Sequence, residues 1–436
     1  MTRNMGYALL AGLAAVAVLV STALFIGAGS GDDGTSGGTS GSGSSAAPAL
    51  SGSWVGTWSA SAVAAEPHTR RGFPRMSIRN VVHTSVGGTA TRIKLSNYYG
   101  SRPLTISHAT VALAAAPSNP TAASGSMRRL TFGNRTSVTI RPHDAVTSDA
   151  ARLNVPHNAD LLVTTYSPRP SGPVTYHPFA RQTSYIGRGD LTAESSGAAF
   201  TEQSPYWRYL TSVDVYSAET DGAVAVLGDS ITDGITSSPG ANRRWTYFLA
   251  ERLRTERGAP RYSVLNGGIS GNRVLLSGSR FSPTNGPSAL TRIHRDVLSR
   301  TGVKTVVVEM GLNDIIKPPR QYHASRIVQG LRELVHEAHG RGLRVVGGTL
   351  TPIGGHRGYR PWMDTVRRQV NAQIREGHVF DSVVDFDAAL RDPARPDRLR
   401  PAYDSGDHLH PSDNGYRAMA EAVRLKQLKG SSPAQL

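Results

Sequence analysis

The sequence predicts an α/β molecule in two parts: a β-rich sandwich or jelly roll, followed by a domain built on a parallel sheet. Three observations support this fold class. The chain has 436 residues, more than one hydrophobic core usually organises. Short alternating strands dominate up to about Thr220, and from Ala223 onward apolar strands alternate with helices. Hydrophobic residues make up 39% of the chain, which excludes a wholly disordered protein.

Residues 1–28 are predicted to be a signal peptide or an N-terminal membrane anchor. Residues 6–28 carry no charge, Arg3 precedes them, and Asp32 and Asp33 follow them. A run of this length spans a bilayer as a helix, and the charge asymmetry places its C-terminal side outside the cytoplasm. The small residues after the run also permit cleavage. Both alternatives predict an extracytoplasmic protein, either membrane-anchored or secreted.

Composition predicts the remaining boundaries. Residues 29–52 are rich in Gly and Ser and are expected to form a flexible linker. Residues 53–220 form the β-rich domain, residues 221–428 the α/β domain, and residues 429–436 a short tail. Runs typical of strands in the β-rich domain are Thr91–Leu95, Thr105–Leu113, Ser137–Ile140 and Asp160–Thr165.

The α/β domain alternates buried strands with helices. Its predicted strands are 223–227, 263–268, 303–310, 343–350 and 382–386. Its predicted helices are 245–256, 288–299, 324–339, 362–375 and 414–425. Near-continuous apolar strands indicate a parallel sheet covered on both faces. Ligands bind such sheets beyond the carboxyl ends of the strands.

Charge and cysteine content exclude several classes of function. The net charge is +16, but the basic residues are spread over both parts and form no stripe with interleaved aromatic residues. We therefore predict no nucleic-acid partner, while attraction to anionic polymers or lipid headgroups stays open. Cysteine is absent, which excludes disulfides, thiolate catalysis and cysteine-ligated metals.

Polar motifs follow three of the predicted strands. Ser230 lies in a Gly-Asp-Ser turn, where it is either an exposed nucleophile or a helix cap. Residues 266–272 (NGGISGN) contain glycines that let backbone N–H groups approach a ligand, or that simply form a flexible turn. Asn313 either donates its amide to developing negative charge or, with Asp314, caps a turn.

The fourth motif, residues 404–411 (DSGDHLHP), contains a possible base and its partner. A serine nucleophile needs a base, usually histidine, whose second ring nitrogen is held by a carboxylate. Asp407 precedes His410 by three residues, so one tight turn brings them together. Pro411 disfavours α geometry at His410, which predicts a loop before the last helix.

A metal site is the competing interpretation of this motif. If the segment is extended, His408 and His410 share one face, and His336 and His339 could supply further ligands. Those two residues, like His294, have the surroundings of a solvated helix surface. We therefore predict no metal.

Together the four motifs resemble the SGNH (GDSL-type) hydrolase family, and most closely its xylan-esterase-like (XynE-like) actinobacterial subgroup. The resemblance covers residues from about Trp54 to Leu425. It rests also on the segments WVGTWSAS, LSNYYGSRPLTI, RDVLSRTGVKTVVVEMGLNDI, DFDAALRDP and YDSGDHLHPSDNGY. It implies a flavodoxin-like three-layer α/β/α domain with a shallow, open site.

Residue by residue, the resemblance implies Ser230 as nucleophile, His410 as general base and Asp407 as its orienting partner. The oxyanion donors that it implies are the N–H groups of Ser230 and Gly271, with Gly268 as a weaker alternative, and the Asn313 side chain. We therefore expect a serine carboxylester hydrolase that needs no cofactor.

The substrate class is open at this stage. By analogy with the subgroup we expect an O-acetylated polysaccharide, and the alternative is a lipase or phospholipase acting on lipids. From a different class, a non-catalytic wall-binding module or an acyltransferase stays possible. Four aromatic residues of the β-rich domain are either a carbohydrate-binding surface or core residues: Trp54, Trp58, Tyr98 and Tyr99.

Overall fold

Two kinds of sheet divide the molecule along its sequence. The computed structural model describes residues 52–430, so the predicted export segment 6–28 lies outside the described residues, as do nearly all of the linker and most of the tail. Antiparallel strands occupy the first part and one parallel sheet the second. None of the helices within residues 52–430 combines the length and the apolar character needed to cross a membrane.

The β-rich part contains sixteen strands in four antiparallel sheets. They are β1 (Ser53–Ser59), β2 (Ala64–Ala65), β3 (Met76–His83), β4 (Gly88–Ser96), β5 (Leu104–Ile106), β6 (His108–Leu113), β7 (Arg128–Arg129), β8 (Val138–Ile140), β9 (Ala145–Thr147), β10 (Ala151–Val155), β11 (Asp160–Ser167), β12 (Thr175–His177), β13 (Ser184–Arg188), β14 (Glu202–Ser204), β15 (Trp207–Arg208) and β16 (Leu210–Ser217). The sheet orders are β1-β16-β4-β10 with β9 also on β4, β14-β13-β3-β11-β6-β7, β15-β12-β2, and β5-β8. The sandwich or jelly-roll arrangement of these sheets stays a prediction.

The second part has the predicted parallel sheet. Its strands are β17 (Gly222–Gly228), β18 (Tyr262–Gly268), β19 (Val303–Glu309), β20 (Arg344–Gly348) and β21 (Ser382–Val384). They pair in the order β18-β17-β19-β20-β21, all parallel. This is the flavodoxin-like order 2-1-3-4-5, in which ligands bind beyond the carboxyl ends of the first and third strands. The α/β fold expected for this part is confirmed.

Eight α-helices connect and cover these strands within the described residues. They are α1 (Ser230–Asp233), α2 (Trp245–Thr255), α3 (Ala289–Ile293), α4 (Leu312–Ile316), α5 (Ala324–His339), α6 (Pro361–Arg375), α7 (Phe386–Leu390) and α8 (Asp413–Ala422). The predicted helix 288–299 is wrong in detail, because α3 ends at Ile293 and a π-helical turn, His294–Leu298, follows it. In α5 the buried residues recur every three or four positions, as in any helix that packs one face on a sheet.

The two parts pack directly on each other. Strand β1 pairs with β16 and also contacts β18, where Ser263 Oγ donates to the Gly56 carbonyl at 2.7 Å. The Gly56 N–H donates to the Thr301 carbonyl at 3.0 Å. Residues 52–430 therefore form one compact unit rather than two loosely tethered ones.

The last residue of β19, Glu309, places a carboxyl group in the core. It is 2% exposed, and its Oε2 accepts one hydrogen bond, from Thr232 Oγ1 at 3.0 Å. Burial raises the pKa of Glu309 well above its ordinary value, and the carboxyl group of Asp229 raises it further. The folded protein therefore holds a proton on Glu309 more tightly than the unfolded chain does.

We predict that Glu309→Gln stabilises the protein increasingly as the pH rises above 4.5, the ordinary pKa of this group. Because the folded-state pKa is raised, stability of the native sequence is fully present below the ordinary pKa and falls as the pH rises through the folded one. Glutamine keeps an acceptor for Thr232 and has no proton to lose. Tm measured between about pH 4 and pH 9 for both proteins checks this. A Tm difference that does not grow with pH would contradict it.

Candidate active site

Ser230 is the first residue of α1, directly beyond the carboxyl end of β17. It does not cap this helix. The cap is Asp229, whose Oδ1 accepts the Ile231 N–H at 3.0 Å. The turn requires glycine at position 228, because a Cβ there would lie 2.1 Å from Thr232 Oγ1. The tight turn holds the Ser230 hydroxyl at the edge of the sheet where ligands bind.

His410 reaches Ser230 from a loop 180 residues later in the chain. Its Nε2 lies 2.9 Å from Ser230 Oγ, and its Nδ1 lies 2.6 Å from Asp407 Oδ2. The other oxygen of Asp407 accepts the N–H groups of His410 at 2.8 Å and Leu409 at 2.9 Å. Burial alone would raise the pKa of Asp407, but the hydrogen bonds from His410 and these N–H groups hold it well below its usual range. An ionised carboxylate that orients an imidazole toward a hydroxyl is the arrangement that activates serine.

The structure separates the histidines that the metal interpretation would join. His408 has a left-handed φ of 62°, so the segment is not extended, and its ring contacts Asp404 at 2.6 Å. His339 contacts Asp381 at 3.0 Å, while His336 and His294 are exposed. Within residues 52–430, His, Asp and Glu side chains form no cluster of three or more that could hold a metal ion.

At this edge the backbone N–H groups of Ser230 and Gly271 have no protein acceptor within residues 52–430. Gly271 has a φ of 78°, and a Cβ there would lie 2.4 Å from Asn285 Oδ1 and 2.7 Å from Lys317 Nζ. The N–H of Gly268, in contrast, donates to Asn266 Oδ1 at 2.8 Å. Of the two glycines, only Gly271 therefore has an N–H left for a ligand.

Asn313 lies in α4, beyond the carboxyl end of β19, and is 4% exposed. Its Nδ2 donates to Asp229 Oδ2 at 2.9 Å, and an amide nitrogen has a second hydrogen to donate. Burial raises the pKa of Asp229 to about 6, although the Ile231 N–H, His410 and Asn313 oppose this rise. The neighbouring Asp314 has a structural role, since its carboxylate accepts the N–H groups of two residues in the loop after β18: Val274 and Leu275.

Sequence reasoning missed Arg292, whose side chain connects the ends of β17 and β18 to the loop that contains Gly271. Its side chain is fully buried and donates to the carbonyls of Gly228 at 2.9 Å and Gly267 at 2.7 Å. It also donates to Asn272 Oδ1 at 2.9 Å and lies 3.4 Å from Asp296 Oδ2. The spacing of Arg292 and Asp296 by four residues, within the predicted helix 288–299, is the only local signal of this role.

His177 and Asp233 form a second contact that sequence reasoning missed. His177 Nε2, on β12, lies 2.9 Å from Asp233 Oδ1 in α1, and both side chains are buried. The other oxygen of Asp233 accepts the hydroxyl of Ser270 at 2.6 Å and its N–H at 3.0 Å. The β-rich part thus supports the helix that begins with Ser230 and the loop that contains Gly271.

The aromatic residues considered as a carbohydrate surface differ in exposure, from the buried Trp58 to Tyr98, which is 37% exposed. Trp58 is 3% exposed and packs edge-on against Trp207 at 4.9 Å, so no ligand reaches it. Trp54 packs on the ring of Tyr216 at 5.7 Å. Tyr98 and Tyr99 lie beneath the guanidinium of one residue of the α/β part, Arg295.

Known proteins resemble the second part of this chain. Residues 226–418 match the model of the GDSL-like Lipase/Acylhydrolase family. Similar solved structures include an acetylxylan esterase from Geobacillus stearothermophilus (23% identity, 49% of this chain and 96% of that chain, TM-score 0.35). Others are a carbohydrate acetylesterase from Sinorhizobium meliloti (17%, 46% and 95%, TM-score 0.35) and an aryl esterase from M. smegmatis (15%, 48% and 99%, TM-score 0.37). None of the curated proteins matches this chain significantly.

The family match and the site geometry fall on the same residues. The matched range begins within β17, four residues before Ser230, and ends within α8, beyond His410. Residues 226–418 therefore belong to the GDSL-like lipase/acylhydrolase (SGNH) family, and the protein is a hydrolase that acts on ester bonds.

Proposed function

We propose that Ser230, His410 and Asp407 hydrolyse the ester through an acyl-enzyme. The supporting observation is the chain of hydrogen bonds of 2.9 Å and 2.6 Å that joins them. His410 takes the hydroxyl proton as Ser230 Oγ attacks the ester carbonyl, and it then gives that proton to the leaving alcohol. Water, deprotonated by His410, attacks the acyl group, which leaves as a carboxylic acid and regenerates Ser230. Asp407 stays ionised and stabilises the imidazolium.

The tetrahedral oxyanion is held by three donors in this proposal. They are the N–H groups of Ser230 and Gly271, which no protein acceptor within residues 52–430 uses, and the second amide hydrogen of Asn313. Donors fixed in advance stabilise the charge that develops in the transition state more than they stabilise the neutral ester. The proposed cycle uses no cofactor.

The proposed substrate is an O-acetylated polysaccharide, and the second candidate is a phospholipid or acylglycerol. Polar side chains adjoin the proposed oxyanion hole at Gly271, namely Asn285 and Lys317, which favours a hydroxylated substrate. The lipid candidate is favoured by the net charge of +16 and by the uncharged run 6–28. Assignment to the XynE-like subgroup is part of this proposal and rests on the motif segments of the sequence.

An extracytoplasmic location is likewise proposed, from the uncharged run 6–28 and the Gly/Ser-rich residues 29–52 that follow it. Fractionation of the native cells distinguishes an anchored from a secreted form. Recovery of the protein from the cytoplasm would contradict both.

The first prediction concerns the triad. Ser230→Ala and His410→Ala should each remove nearly all hydrolysis of p-nitrophenyl acetate, and the double variant should be scarcely worse than either, because the residues act as one unit. His408→Ala is the matched control, since that ring contacts Asp404 rather than Ser230, and it should retain most activity. Additive losses in the double variant, or an inactive His408→Ala, would count against the assignment.

The second prediction concerns Asn313. Asn313→Ala should lower kcat by ~10²–10³-fold with little change in KM, as for loss of one oxyanion donor. If Asn313 only links α4 to Asp229, the substitution should cost about 0.5–2 kcal/mol of stability while kcat stays near normal. Tm and kcat measured on the same variant decide between these roles. A destabilised but fully active variant removes Asn313 from the proposed oxyanion hole.

The third prediction separates the two substrate classes. In a series of p-nitrophenyl esters from acetate to palmitate, kcat/KM should be greatest for acetate, since the side chains beside Gly271, Asn285 and Lys317, are polar and gain little from contact with a long acyl chain. A kcat/KM that rises steadily with chain length would favour the lipid candidate. Absence of turnover at every length would contradict the esterase proposal itself.

A further inference from the structure

A half-buried lysine stands beside the glycine of the proposed oxyanion hole. Lys317 follows α4, and its Nζ lies 2.7 Å from the position that a Cβ on Gly271 would occupy. Its one hydrogen bond, to Asn285 Oδ1, has the limiting length of 3.5 Å. Within the part of the chain that the structure describes, no carboxylate oxygen lies within 4.0 Å of this ammonium.

This ammonium group has binding capacity that the protein itself does not use. It carries three N–H donors, and removing them from water without new partners is costly. Burial accordingly lowers the pKa of Lys317, and the negative charge of Asp229 raises it only in part. A negatively charged ligand would supply the missing partner.

The loops around Lys317 carry charge of the same sign. Residues 273–287, 317–323 and 353–360 follow β18, β19 and β20, so all three lie beyond the carboxyl ends of parallel strands. They contain no Asp or Glu, and their basic residues are Arg273, Arg280, Lys317, Arg320, Arg357 and Arg360. None of these cations has an ion pair within 4.0 Å in residues 52–430.

Contacts join these loops to the site. Arg273 Nη1 donates to the Pro318 carbonyl at 3.2 Å, which links the first loop to the second. A Cβ on Gly355, in the third loop, would lie 3.1 Å from the ring of His408. In the loop 404–411, the carboxylates of Asp404 and Asp407 are already hydrogen-bonded to the rings of His408 and His410. The edge therefore carries an excess of positive charge near a molecule bound at Ser230, although Asp229 and Asp314 offset part of it.

We propose that Lys317 binds a negatively charged group on the alcohol part of the ester, so that the enzyme prefers O-acetyl esters of carboxylate-bearing sugars over neutral ones. The inference rests on the proposed function, in which the acyl group is acetyl. Because acetyl carries no charge, the charge must lie on the sugar. A charge-assisted hydrogen bond from Lys317 to a carboxylate would fix the position of that sugar.

Exposed aromatic side chains at the same edge favour a sugar as the occupant. Tyr322, in the loop after β19, is 59% exposed, and its ring stacks on Trp362 at a centroid distance of 4.5 Å. Such rings offer a flat apolar face together with a polar tip. A sugar ring, which is apolar on its faces and polar at its edge, complements this surface.

The experiment compares two acetyl esters that differ in charge on the alcohol part: 4-acetoxybenzoate and its neutral methyl ester. In the full chain, kcat/KM for each is measured, and the ratio of anionic to neutral substrate reports the preference. Lys317→Gln should lower this ratio about tenfold, the effect of losing one partly screened charge pair. Lys304→Gln is the matched control, because this exposed lysine lies near the start of β19, at the opposite edge of the sheet, and it should leave the ratio unchanged.

Salt provides a second readout, and Lys317→Met a second variant. Added salt should reduce the preference of the native enzyme and have little effect on that of Lys317→Gln, since screening acts on the charge that the substitution removes. Lys317→Met should lower the ratio as Lys317→Gln does, and Tm identifies a variant that has lost its fold. A ratio that neither substitution changes would overturn the role of Lys317.

Natural polymers test the substrate class. Acetate should be released faster from acetylated polygalacturonate than from acetylated neutral xylan, and this difference should shrink in Lys317→Gln. If phosphatidylglycerol vesicles are hydrolysed in a Lys317-dependent manner and acetylated polygalacturonate is not, the sugar assignment is overturned in favour of a lipid. If the native enzyme hydrolyses neither small ester, the proposed function fails, whereas equal hydrolysis of both overturns only the charge preference.

Discussion

The geometry of the site depends on one buried guanidinium, that of Arg292. Arg292 binds the carbonyl of Gly228, two residues before Ser230, and the side chain of Asn272, the residue after Gly271. It therefore supports the chain next to both the Ser230 hydroxyl and the Gly271 N–H. A buried charge is tolerated only when it is paired and hydrogen-bonded. Arg292 is paired with Asp296, and two of its acceptors are backbone carbonyls at the ends of strands, which cannot move independently of the sheet. Lysine could not replace it, because an ammonium does not reach several acceptors in fixed directions as the planar guanidinium does.

The β-rich part also supports the candidate site, through contacts with α1. Arg244 donates to the Asp233 carbonyl at 2.6 Å and to the carbonyls of Phe179 and Ala180 at 2.9 Å, so it joins α1 to the chain beyond β12. Asp233 is held in addition by the ring of His177. Since both contacts are buried, separating the two parts would remove the His177 ring from Asp233 and two carbonyl acceptors from Arg244. The candidate active site thus depends on the whole described unit, although the family match covers only its second part.

The sequence alone was enough to predict the candidate residues that lie in recognisable motifs. Asp407 and His410 share one turn, where spacing indicates geometry, whereas the pairing of His410 with Ser230, 180 positions earlier, was predicted only through the family resemblance. The supporting contacts of His177 and Arg292 join residues 56 and 64 positions apart, and no local pattern encodes such pairs. The break at Ser107 was missed for a related reason: Thr105–Leu113 alternates as one strand would, yet β5 and β6 belong to different sheets, a division set by tertiary pairing.

The carboxyl group of Asp229 poses an electrostatic problem that its neighbours resolve. It fixes the Asn313 amide through one hydrogen, which leaves the other free for the proposed oxyanion. A second negative charge so close to that oxyanion would oppose the reaction. Burial, which raises the pKa of Asp229 to about 6, already disfavours the charged form. When Asp229 does ionise, the positive charge of Lys317 partly offsets it, since each favours the charged form of the other. On this argument Lys317 serves the reaction even when no anionic sugar is bound, because it allows an acidic residue to position an oxyanion donor at a smaller electrostatic cost.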